Sequence, residues 1–78
     1  MTRQDFIKNF KLTRTKTKCI FYDGMSRKER SLYINTRGTL YIIYNNDLHY
    51  VEPYKEYEYF NGMKEIKCRL CGAYSWYH

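Results

Sequence analysis

The chain is poor in what breaks or staples a fold. It has one proline, Pro53, four glycines and three cysteines in 78 residues. No stretch approaches the roughly 18 consecutive apolar residues of a membrane-spanning helix. The opening Met1-Thr2-Arg3-Gln4-Asp5-Phe6 lacks the apolar core of a secretory signal. An odd cysteine count without such a signal argues against a secreted disulfide scaffold and points to a reducing, cytoplasmic setting. Length allows one domain, residues 1–78, whose core supplies only about 3–5 kcal/mol.

Aromatic residues are abundant. They make up 19% of the chain, and ten are tyrosine. Tyrosine favours strands and also interfaces, so with so small a core several must be exposed. The richness in Lys, Asn, Ile, Tyr and Phe matches AT-rich codons, which suggests a bacterial or viral genome of that bias.

Charge is uneven. The net charge is +6. Residues 1–39 hold ten Lys/Arg and three Asp/Glu, a balance of +7, whereas residues 40–78 hold four and five, a balance of −1. Such asymmetry suggests a nucleic-acid or other acidic partner.

Residues 2–11 read as a short helix. Thr2 and Asp5 have capping-box spacing, and Phe6, Ile7 and Phe10 fall on one face. The alternation Thr13-Arg14-Thr15-Lys16-Thr17-Lys18 then reads as a strand with Arg14, Lys16 and Lys18 on one side, continuing to Tyr22. Asp23-Gly24 is a turn, and residues 25–30 form a basic connection. Strands follow over 31–35, 39–44 and 48–51, the second apolar on both faces and hence covered on both sides. Pro53 ends the third or confines it to an edge. Residues 55–60 form a half-buried strand and Asn61-Gly62 a hairpin turn. Met63–Cys68 returns, Cys68-Arg69-Leu70-Cys71-Gly72 reads as a tight turn, and residues 73–77 form a last strand. The expected fold is α+β and mainly β: a short N-terminal helix on an antiparallel meander of about six or seven short strands, strongly twisted or partly rolled into a small barrel.

Two constellations could carry function. Cys68-x-x-Cys71-Gly72 has the spacing of half a zinc knuckle, and Cys19 with His49, or alternatively His78, would complete four ligands for a structural zinc. The other reading of the same residues is a turn with reduced thiols. Lys8, Lys11, Arg14, Lys16, Lys18, Arg27, Lys28, Arg30 and Arg37, interleaved with aromatics, suit phosphate contact and base stacking. The alternative is a solvated edge strand whose cations block aggregation.

No Ser–His–Asp pattern or phosphate-binding glycine loop is present, and a chain this short has little room for a substrate pocket, so an enzyme is not expected. Two functions remain. One is a binding module whose basic N-terminal half engages nucleic acid or a nucleoprotein machine. The other is a phage- or mobile-element-type inhibitor of a host protein, acting through a tyrosine-rich surface. Self-association would also cover exposed tyrosines.

Overall fold

The computed structural model describes residues 2–62 and 64–73. A helix, α1 (Arg3–Asn9), precedes five strands: β1 (Thr13–Asp23), β2 (Ser26–Ile34), β3 (Leu40–Tyr44), β4 (Asp47–Glu58) and β5 (Lys64–Ala73). Each strand pairs antiparallel with the next, and β1 pairs parallel with β5 to close a barrel. The parallel seam follows from the strand number. In an up-and-down meander of five, the first and last strands run the same way.

Five strands replace the expected six or seven because two breaks do not occur. β4 runs through Pro53, which has no amide hydrogen to give the ladder. The register slips between Pro53 and Lys55, which leaves Tyr54 as an extra, bulged residue. β5 likewise runs through Cys68–Gly72 instead of turning. Its register with β4 slips by one, and Cys71 is the extra residue. The basic connection at 25–30 is also strand, since Ser26 pairs with Asp23 and β2 begins there. Past Ala73, the strand expected over 73–77 lies outside the described residues.

The short turns fit their residues. Gly24, first of the two residues between β1 and β2, takes φ 62°, as a type II′ turn requires. Asn45 and Asn46 take φ 52° and 59°, the doubly positive pattern of a type I′ turn between β3 and β4.

β3 has apolar contacts on both faces, as its sequence implies. Ile42 and Tyr44 point into the barrel with Cys19, Phe21, Leu32, Val51 and Cys68. Tyr41 points outward into a second cluster with Phe6, Leu12, Tyr33 and Leu48. The helix covers that second cluster. Its N-terminus is closed by reciprocal bonds between Thr2 and Asp5. At its other end the Leu12 amide donates to the Ile7 carbonyl (2.9 Å) and the Lys11 amide to that of Lys8 (3.4 Å). Lys11 itself is left-handed, at φ 52°. This is a Schellman closure with lysine where glycine is usual. It turns the chain from α1 into β1.

Candidate nucleic-acid interface

Paired residues in a sheet share a face, so the registers map the outer surface of the barrel, which borders the helix where Arg3, Lys18, Ser31 and Tyr33 line one cleft. One row across four strands is Glu29 (β2), Ile20 (β1), Lys67 (β5) and Lys55 (β4). The next is Ser31, Lys18, Glu65 and Tyr57. The parallel seam thus places cations of the C-terminal half beside the basic β1.

The expected basic residues divide among several positions. Arg14 and Lys18 face outward, opposite Tyr33 and Ser31. Between them the register is interrupted, and Thr15 holds the irregularity. Its hydroxyl donates to the Leu32 carbonyl (2.8 Å) and accepts from the Thr17 amide (3.1 Å). Lys16 is exposed within this bulge. Simple period-two alternation is therefore interrupted here, although the two flanking cations keep a common face. Lys8 and Lys11 are exposed at the helix end that leads into β1.

Arg27 lies opposite Tyr22 and is held in an ion network. Its guanidinium reaches Glu29 at 3.7 Å and Glu65 at 4.0 Å. Glu65 also accepts from the Tyr59 hydroxyl (3.2 Å). Burial, and then this bond to Glu65, raise the Tyr59 phenol above its ordinary value. Lys28 and Arg30 pair with Phe21 and Cys19, so they belong to the other side of the β1–β2 hairpin. There the Arg30 guanidinium sits 5.1 Å from the Tyr44 ring centre. Tyr44 donates to Asp23 Oδ2 at 2.7 Å, which raises its phenol. Arg37 lies in the β2–β3 turn, at the opposite end of β2 from Arg27. Arg14, Lys16 and Lys18 follow one another along β1, and Lys18 lines a cleft together with Arg30, Arg3 and Glu29. Lys28 pairs with Phe21, and Arg37 lies in the β2–β3 turn.

Basic and aromatic residues of the C-terminal half, absent from the expected set, complete this face. Lys55 and Lys67 lie 5.3 and 5.7 Å from the centre of the Tyr57 ring, and Arg69 lies 5.8 Å from that of Tyr54. Burial would raise the Tyr57 phenol, but the hydrogen bonds and charges of the two lysines outweigh it and lower it. The half's net charge of −1 concealed these residues: Glu52 and Glu58 lie opposite Arg69 and Lys64, whereas Lys55 and Lys67 lie opposite each other.

The proposed zinc ligands are only partly gathered. Cys19 and Cys68 are both buried in the barrel interior. A hydrogen bond to the Cys68 sulfur, together with burial, raises the Cys19 thiol. Cys71 is exposed on its bulge, with its sulfur 3.7 Å from the Arg69 carbonyl. The Nε2 of His49 lies 3.0 Å from the Tyr44 carbonyl, an acceptor, so this contact needs a protonated Nε2. Among the described residues no three His, Cys, Asp or Glu side chains converge on a common point. His78 lies outside them. No helix among the described residues is long and apolar enough to cross a membrane.

Comparison with protein-family models, with curated proteins and with solved structures returns no match.

Proposed function

We propose that this chain is a small non-enzymatic module that binds nucleic acid, or a nucleic-acid-bound protein machine, through the outer face of its barrel. The observation that carries the reading is the parallel seam. It sets Lys18 of β1 in the row beside Lys67 and Lys55, with Arg14 and Lys16 further along β1. Crowded like charges repel, and a polyanion relieves the repulsion while releasing its own counterions. Exposed tyrosines on the same face supply stacking surfaces.

The test replaces Arg14, Lys16 and Lys18 together by Gln. Folding should survive, since Arg14 and Lys16 are exposed, Lys18 is only half-buried, and changes at such surface positions usually cost little. Binding of generic DNA or RNA should weaken, and its salt dependence should flatten by roughly one unit of slope per lost contact to duplex phosphate. Binding unaltered in affinity and slope would count against β1 as the contact strand.

A protein partner is the second reading, and the hairpin tips favour it. Phe60 and Met25 are fully exposed at the ends of the β4–β5 and β1–β2 hairpins. If the wild-type chain binds no nucleic acid at low salt and captures a host protein that Phe60→Ala fails to capture, the inhibitor reading takes precedence.

A further inference from the structure

Lys55 and Lys67 are directly opposite each other on β4 and β5. Like charges in that relation destabilise a sheet. Both ammonium groups lie near one ring, that of Tyr57. Among the described residues, neither has a carboxylate within 4.0 Å. Glu65, two positions before Lys67, is already engaged by Arg27 and Tyr59. Two cations thus converge on one place, the Tyr57 ring, in a charge arrangement complementary to an anion.

The surroundings extend that place in one direction. Arg69, which lies opposite Glu52 but forms no ion pair with it at 4.0 Å or less, is two residues beyond Lys67 on β5, about 7 Å along the strand. That spacing is close to the phosphate repeat of an extended single strand. Arg69 lies beside Tyr54, and Tyr22 and Tyr54 line a cleft of about 310 Å³ together with Cys68, Arg69 and Leu70. Both rings are open to solvent, at 51% and 57% exposure. The cleft lies just past Ile20 and Lys67, the last pair of the β1–β5 seam.

We propose that the outer face of β4 and β5 is a docking site for single-stranded nucleic acid, with a backbone phosphate held between Lys55 and Lys67, a second on Arg69, and bases stacked on Tyr54 and Tyr22. This rests on the nucleic-acid reading above and names both the class of nucleic acid and the strands that hold it. Duplex is disfavoured here because its base faces are already stacked and cannot use the exposed rings.

The test measures fluorescence anisotropy of labelled oligothymidylate and oligouridylate, each of about 20 nucleotides, against a duplex of equal length. Salt runs from about 50 to 200 mM. The wild-type chain should bind the single strands more tightly than the duplex. Lys55→Gln with Lys67→Gln should weaken single-strand binding roughly tenfold and reduce the salt slope by about 0.7 per lost phosphate contact. Tyr54→Ala should weaken it by about fivefold or more and leave the slope unchanged, because stacking releases no counterions. Thermal melts should remain cooperative in each variant, with Tyr54→Ala close to the wild type and the lysine double variant no less stable, because it relieves the like-charge pair. Wild-type binding that survives in the lysine double variant with its slope intact overturns this site alone, as does duplex bound as tightly as single strand. No binding by the wild-type chain at about 50 mM salt overturns the nucleic-acid reading itself.

Discussion

Arg27 of β2 reaches Glu65 of β5 across β1, with Ile20 beneath the bridge. Ile20 points outward yet is only 3% exposed, and it belongs to neither core cluster. Glu29 lies directly opposite it, and Arg27 joins Glu29 to Glu65 from the strands on either side. A long arginine stem spanning from β2 to β5 at this level accounts for an apolar residue buried on a polar face.

Ile20→Ala should therefore behave as a core truncation and lower stability by about 2–4 kcal/mol. Arg27→Ala should lower it by about 1 kcal/mol or less, mostly through lost cover, because its ion pairs are solvent-screened. Urea unfolding of both variants compares the two losses. Equal losses would mean that the bridge, not the burial, stabilises this face.

The two helix phenylalanines should separate in effect. Phe6 is buried at 3% exposure, whereas Phe10 is only half-buried beside Tyr41. Phe6→Ala should cost about 3–5 kcal/mol, comparable with the stability expected of so small a domain, and should largely unfold it. Phe10→Ala should cost less and leave a cooperative melt at lower temperature. Far-ultraviolet circular dichroism during heating distinguishes these outcomes.

Thiol titration of the folded chain should show one fast cysteine and two slow ones. Cys71 is exposed, while Cys19 and Cys68 are buried together. The raised Cys19 thiol further disfavours the reactive thiolate. All three should react at one rate in denaturant. A zinc ion bound through Cys68 and Cys71 would protect Cys71, so slow labelling there that a chelator reverses would restore the four-ligand reading.

The helix start should respond to acid. The Thr2 amide donates to Asp5, which lowers the Asp5 carboxyl below its ordinary value. A carboxyl lower in the folded chain stabilises it above the unfolded pKa, near 4, and that contribution is lost as pH falls through the folded value. Amide chemical shifts of Thr2 and Asp5 should move together below about pH 4. In Asp5→Asn this transition should be absent.

Local signals in the sequence are legible where the structure they govern is itself local. The Thr2–Asp5 cap, the Gly24 turn and the two-faced apolar pattern of β3 all depend on neighbours a few residues apart. Pro53 and the Cys71-Gly72 pair also mark real irregularities, but these are bulges within long strands rather than strand ends. A residue that cannot fill a ladder position can be bypassed as well as terminated, and local sequence does not distinguish the two. The proposed face was hidden for another reason. Lys18 and Lys67 become neighbours only through pairing of β1 with β5, and no short-range pattern encodes that partnership.

That seam has a kinetic consequence. Every other strand pair joins consecutive strands and can begin as a hairpin, whereas Thr17–Ile20 must find Lys64–Lys67, more than forty positions away. Contacts of such sequence separation carry the largest loop-closure cost, so the seam belongs to the late events of folding. The β2–β3–β4 meander under the helix can assemble before it. The four-strand face exists only after closure, so an incompletely folded chain would hold the same cations without their common geometry.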